Sequence, residues 1–239
     1  MKNIFLLIAI SLYYFSYAQY NLKKDYDDPD FKLGEQYRKK FEANSAYKAY
    51  QKAAEKGNAA AMVELGWLLE NKHVNLKNSD KQQQFALEYF QEAANKGNPD
   101  GMAAIGWSYL QFHTAVPNDN KMGESWLRKA VVAGSKRAHF WLGDLLMGTG
   151  KFDEGWQLLL KGAELGDCYC TTRVGMELYY KKKYAEALPY LIKGYESGNA
   201  TSNYDIAKIY EQGLGGVPKD EKLAKEWKSK PHKQCDAAK

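Results

Sequence analysis

A near-verbatim repeat is the feature that most restricts what this chain can become. Ala53-Ala54-Glu55-Lys56-Gly57-Asn58, followed by Ala61-Met62-Val63-Glu64-Leu65-Gly66-Trp67, returns forty residues later. The second copy reads Ala93-Ala94-Asn95-Lys96-Gly97-Asn98 with Gly101-Met102-Ala103-Ala104-Ile105-Gly106-Trp107. Weaker copies centre on Gly134, Gly166 and Gly198, at spacings of 37, 32 and 32 residues. Periods in this range mark supersecondary units that cannot bury an apolar face alone and must stack on their neighbours. Six Pro and no Ser/Gly-rich tract argue for one continuous body, not two domains on a linker.

Counting from the five glycines shows what one repeat is. The residue after each is Asn58, Asn98, Ser135, Asp167 or Asn199. Glycine tolerates the left-handed turn that ends a helix, and each of those side chains can accept a backbone N–H at the start of the next. Pro99 then suits a first helical position. Ala46, Ala86, Gly123, Gly155 and Ala187 form a small column eleven residues before the glycines. Tyr50, Phe90, Leu127, Leu159 and Leu191 form a large one seven before, and Ala53, Ala93, Ala130, Gly162 and Gly194 stand four before. Spacings of three and four share one helix face. In the second helix, Leu65, Ile105, Leu142, Val174 and Ile206 lie eight after the glycines. Gly66, Gly106, Gly143, Gly175 and Ala207 lie nine after. Gly inside a helix costs about 1 kcal/mol relative to Ala. That position is therefore expected to be crowded, with two helix backbones close together. The pattern predicts an all-α fold, a right-handed α/α superhelical solenoid of about five helix-turn-helix repeats with half-repeat caps.

The expected repeat body spans 30–230. Leu33-Gly34 starts a half-repeat cap, and Leu223-Ala224-Lys225-Glu226-Trp227 closes the array as a last first-helix. Residues 19–29 read as a loose lead-in and 231–239 as a tail. Residues 1–18 read as a secretory signal: Lys2, an apolar run from Ile4 to Leu12, and the small-x-small site Ser16-Tyr17-Ala18 before Gln19. The expected location is the periplasm or the exterior, with no membrane span after cleavage. The formal charge is +5, with no run of five or six like charges, so a nucleic-acid partner is not expected. Of three cysteines, Cys168 and Cys170 are too close to pair easily within a helix, and a bridge from either to Cys235 is open.

These residues resemble the Sel-like repeat (SLR) family, relatives of the tetratricopeptide repeats. The family pattern runs Ala…Trp/Tyr-x-x-Ala-Ala-x-x-Gly-Asn-x-x-Ala-x-x-x-Leu-Gly-x-x-Tyr, followed by a Gly-x-Gly-Val-x-x-Asp loop. Residues 46–69 and 86–109 match the helical part, and 204–227 match the loop and the helix after it. Gly150-Lys151-Phe152-Asp153-Glu154 and Lys183-Tyr184-Ala185-Glu186-Ala187 use a short tetratricopeptide-type connection instead, which explains the 32-residue period. The resemblance implies an interaction scaffold of the cell envelope: an adaptor, a binder of cell-wall enzymes or a partner of secretion systems. A few disulfide-rich relatives are associated with β-lactam binding or hydrolysis.

Chemistry is sparse. His73, His113, His139 and His232 include no i, i+4 pair, and no spacing suggests three or four converging metal ligands, so neither metal nor cofactor is expected. Ser45-Ala46-Tyr47-Lys48 matches Ser-x-x-Lys but lacks the Ser-x-Asn and Lys-Thr-Gly elements of penicillin-recognising enzymes. Ser45 is better explained as a helix cap. Cys168, in a first helical turn, carries a faint hint of thiol reactivity. A surface row is more informative. Lys52, Lys129, Lys161 and Lys193, with Glu92 among them, stand five before the glycines; Gln51, Gln91 and Arg128 stand six before. On the concave side of a solenoid this row would offer cations and amides to an acidic strand, loop or carboxylate. The expected function is an exported protein–protein interaction scaffold, an envelope adaptor or an inhibitor of the immunity type, and not an enzyme. Its expected partner is a protein or peptide of the cell envelope. A weak hydrolase of β-lactams or cell-wall peptides and a structural envelope protein are the alternatives.

Overall fold

Each turn glycine does what its position demands. Gly57, Gly97, Gly134, Gly166 and Gly198 all have positive φ, between 83° and 112°. Asn58, Asn98 and Asp167 then cap the next helix; their side-chain oxygens accept from Ala61 N at 2.8 Å, Gly101 N at 3.1 Å and Cys170 N at 2.8 Å. Ser135 donates its hydroxyl to Asp100 Oδ1 at 2.6 Å. Asn199 lies outside the described residues.

The computed structural model describes residues 23–74, 81–111, 115–198 and 202–231. No strand occurs among them. The chain falls into two compact units, Met1–Ser135 and Lys136–Lys239, where the sequence predicts one body. The first unit holds α1 (Pro29–Lys39), α2 (Ala43–Glu55), α3 (Ala59–Glu70), α4 (Gln82–Asn95), α5 (Pro99–Leu110) and α6 (Asn120–Ala133). The second holds α7 (Lys136–Gly148), α8 (Phe152–Glu164), α9 (Cys168–Tyr180), α10 (Tyr184–Glu196), α11 (Asn203–Gln212) and α12 (Glu221–Ser229). Both are the helix-pair arrays that the period predicts.

The tightest pairs are α1–α2, α3–α4 and α5–α6 in the first unit, and α7–α8, α9–α10 and α11–α12 in the second. Each joins the second helix of one repeat to the first helix of the next. The packing hairpin therefore straddles the sequence repeat. The glycine column explains this. A Cβ on Gly66 would stand 2.3 Å from the Phe90 ring, and one on Gly34 2.4 Å from that of Tyr50. At Gly106, Gly143 and Gly175 the intruder is Leu127, Leu159 or Leu191, at 2.8–2.9 Å. Each small residue thus receives the large residue seven before the next turn glycine, and those five large side chains have no exposed surface. The close backbone approach expected at this position holds at Gly106, Gly143 and Gly175, where Gly123 O, Gly155 O and Leu191 N lie 3.0–3.1 Å from the virtual Cβ. At Gly34 and Gly66 the crowding is an aromatic ring. Burying each such side chain contributes about 1.5–3 kcal/mol.

Two of the long connections share a device. In Val116-Pro117-Asn118-Asp119 and Val217-Pro218-Lys219-Asp220 the aspartate N–H donates to Tyr109 O or Tyr210 O, both at 2.9 Å. Each aspartate side chain then caps the next helix, Asp119 accepting from Lys121 N and Met122 N, Asp220 from Leu223 N.

Three local expectations change. The lead-in is tied down where it is described: Asp25 Oδ2 accepts from Ala59 N at 2.9 Å and Ala60 N at 3.2 Å, and Asp25 O from Asn58 Nδ2 at 2.8 Å. Asp28 caps α1, accepting from Asp30 N and Phe31 N. Ser45 does not cap α2, which begins two residues earlier at Ala43. Cys168 is disulfide-bonded, which removes it as a nucleophile, and Cys170 is a buried free thiol whose pKa is pushed up by burial and by the Asp167 carboxylate. Cys235 and the signal-like residues 1–18 lie outside the described residues.

Candidate partner-binding surfaces

The predicted surface row falls on the first helices and on their solvent side. In the first unit Lys52, Gln91, Arg128 and Lys129 are exposed and Gln51 is half-buried; in the second, Lys161 and Lys193 are exposed. The row stands beside the apolar columns, so the face that packs and the face that it occupies do not compete. Most members already have a local partner. Gln51 Nε2 donates to Tyr47 Oη at 3.4 Å and Gln91 Nε2 to Asn95 Oδ1 at 3.2 Å. Arg128 holds Glu124 Oε1 through Nε at 2.9 Å and Nη2 at 2.8 Å. Lys129 Nζ lies 4.5 Å from the Trp126 ring centroid. Lys161 pairs with Glu164 at 3.0 Å, and Lys193 reaches across to Ala163 O at 3.3 Å. These are surface interactions of small net worth, 0–1 kcal/mol each, readily exchanged for a partner's groups.

Sequence reasoning missed a cleft in the second unit. It has a volume of about 460 Å³ and lies among Asp144, Met147 and Gly148 of α7, Phe152, Asp153 and Trp156 of α8, and Arg173 and Glu177 of α9 with Lys181 just after it. Arg173 Nη2 binds Asp144 Oδ1 and Glu177 Oε1, both at 3.2 Å, and so links α9 to α7. Phe152 is 64% exposed, high for a phenylalanine at the start of a helix. The signal was present as two stripes at i, i+4 spacing, Phe152/Trp156 and Arg173/Glu177/Lys181, outside the apolar columns.

A second cleft, of about 820 Å³, opens in the first unit between the Gly57 and Gly97 turns and the segment from Lys24 to Pro29. Its lysines and aspartates are balanced, and Lys56 is held by Asp28 and Asp30. Among the described residues no cluster of three metal-ligating side chains forms. His139 is buried in α7, His73 is exposed, and His113 and His232 lie outside the described residues. No helix of the described residues is long and apolar enough to cross a membrane.

Helix arrays of this kind recur in solved structures. A Sel1 repeat protein from Oxalobacter formigenes superposes with a TM-score of 0.66 at 21% identity, over 85% of this chain and 89% of that one. The fold is that of the Sel1-like repeat proteins. A protective antigen of uropathogenic Escherichia coli strains that displays an SLR fold gives a TM-score of 0.61 at 25% identity over 77% of this chain; the match spans 40% of that antigen. An immunity protein from Pseudomonas aeruginosa gives 0.60 at 19% identity, over 84% of this chain and 80% of that one. No protein-family model matches the sequence, and no curated protein does. The likeness therefore rests on the shared Sel1-like architecture. The row and the cleft are read from this chain's own residues.

Proposed function

We propose that this protein is an exported protein-binding scaffold of the cell envelope, an inhibitor of the immunity type that occupies one partner protein. One observation carries the reading: within each unit, cations, joined in the first unit by amides, stand on the solvent side of the first helices at two adjacent repeat positions, most of them held by weak local pairs. In either unit such residues offer donors to an acidic strand, loop or carboxylate without disturbing the packed face. Immunity proteins of the same fold support the choice of a sequestering binder. The signal-like start and the oxidised Cys168 support an oxidising compartment.

The test is affinity capture from the organism's own envelope extract with residues 19–239 as bait. A Lys129→Glu/Lys161→Glu/Lys193→Glu variant, checked for helicity by circular dichroism, runs beside it. The expected outcome is one protein held by the parent and lost by the variant. A partner kept by both would discard the row, and an empty capture in both would discard the binder.

A further inference from the structure

The second-unit cleft sets carboxylates beside apolar surface. Its walls carry three carboxylates, Asp144, Asp153 and Glu177, against two cations, Arg173 and Lys181. Arg173 is already shared between Asp144 and Glu177. Asp153 has no ion-pair partner among the described residues. Met147, Phe152 and Trp156 supply the apolar surface. Both α7 and α9 contribute C-terminal residues, the negative end of a helix dipole, while the opposite end of α8 carries Asp153 and Glu154 in its first turn.

Lys181 shows how the site is used at rest. Its Nζ lies 5.3 Å from the Trp156 ring centroid, so the aromatic face already holds a cation, one supplied by the chain itself. Lys181 is exposed and follows the last residue of α9, so it can leave at little structural cost. We propose that the cleft receives a lysine or arginine side chain of a bound partner protein, which displaces Lys181 from Trp156 and pairs with Asp153. This rests on the binding function proposed above and assigns its partner a second contact, opposite in charge to the one made by the lysine row. The stem of the incoming residue would lie along Phe152 and Met147, as long cationic side chains lie along apolar surface.

The experiment uses the chain 19–239 labelled at tryptophan indole nitrogens, with Trp156 assigned by Trp156→Phe. It is titrated to millimolar concentration with the blocked peptide Ala-Ala-Arg-Ala-Ala and with its citrulline counterpart, which has the same shape without the charge. The arginine peptide is expected to shift the Trp156 signal and the citrulline peptide to leave it in place. Lys181→Ala is expected to tighten arginine-peptide binding about three- to tenfold by removing the internal competitor, and Asp153→Asn to weaken it by a similar factor. These two are surface changes that leave the core intact. No shift with either peptide, equal shifts with both, or no gain in Lys181→Ala would overturn the assignment. Repeating the envelope capture with Asp153→Asn/Trp156→Phe separates the two proposals. A partner still held at full strength discards the cleft and leaves the binder standing. Concentration-dependent dimers in sedimentation, dispersed by the same pair of changes, would make the occupant a second copy and overturn the assignment to a partner protein.

Discussion

The glycines nine after each turn glycine carry the fold at the scale of single residues, and their neighbours set what a substitution costs. At Gly66 the three nearest atoms that a new methyl would meet all belong to the Phe90 ring, the first at 2.3 Å. At Gly106 it would meet Leu127 and also Gly123 O at 3.1 Å. Gly66→Ala and Gly106→Ala should each destabilise by about 1–3 kcal/mol in urea denaturation. A second change, Phe90→Leu, should recover part of the loss in Gly66→Ala; Leu127→Ala should not rescue Gly106→Ala, because a carbonyl cannot be trimmed. Equal coupling in the two double-mutant cycles would refute the distinction. The small column was plain from the sequence. Its large counterpart was not assigned as the partner, since periodicity shows which residues share a face and not which face of another repeat they enter. Glu35 shows a second residue-scale effect. Its carboxylate accepts from Tyr50 Oη at 2.5 Å and forms a two-point contact with Arg38, both bonds at 2.9 Å. Burial pushes its pKa up, but the bonds from Arg38 and Tyr50 outweigh this and hold it below 4.5. A lowered carboxylate pKa stabilises the fold above the unfolded value and loses that contribution as pH falls through the folded one. The thermal midpoint should therefore fall as pH drops below about 4.5, the ordinary carboxylate value. Glu35→Gln should lower stability at pH 7 and flatten that acid limb; a parallel acid limb in the variant would count against the assignment.

Helix ends decide how each element is joined to the next. Asp119 and Asp220 each serve twice, donating a backbone N–H to a tyrosine carbonyl and capping the next helix with the side chain. Replacing the capping oxygen alone isolates the second role. Asp220→Ala should cost about 0.5–2 kcal/mol. It should fray α12, whose Trp227 is 6% exposed and packs edge-on to Tyr195 at 5.2 Å. Faster amide exchange confined to residues 221–229 and a red-shifted tryptophan emission are the expected signs; unchanged exchange there would show that packing alone holds the helix. The second of these loops was legible because its glycines match the family pattern, and Val116-Pro117-Asn118-Asp119 escaped because it lacks them. The docked Asp25 was hidden for a different reason: a short acidic stretch reads as solvated until the exposed N–H groups of α3 that it meets are in view. The second-unit cleft was hidden in the same way, since its walls come from three helices and no single window of sequence contains them.

Across the whole molecule, the thiols give the sharpest check, because the sequence left a bridge to Cys235 open from either Cys168 or Cys170 and the structure distinguishes the two thiols. Cys170 has no exposed surface and is free, and Cys168 is oxidised. One intrachain disulfide among the three cysteines of the sequence would leave a single thiol per chain. Native protein from an oxidising compartment should resist alkylation, since a buried thiol with a raised pKa offers neither access nor thiolate. In denaturant without reductant each chain should gain one alkyl group by intact mass, on the peptide that carries Cys170. With reductant it should gain three. Two or more groups in the middle condition would show that Cys168 is reduced, and one group on the peptide with an oxidised Cys170 would reverse the roles. Reduction should also lower the denaturation midpoint, because a disulfide restricts the unfolded chain and typically contributes about 2–4 kcal/mol. That loss should be absent from protein made in a reducing cytosol. The pair of midpoints therefore tests the proposed compartment as well as the bond.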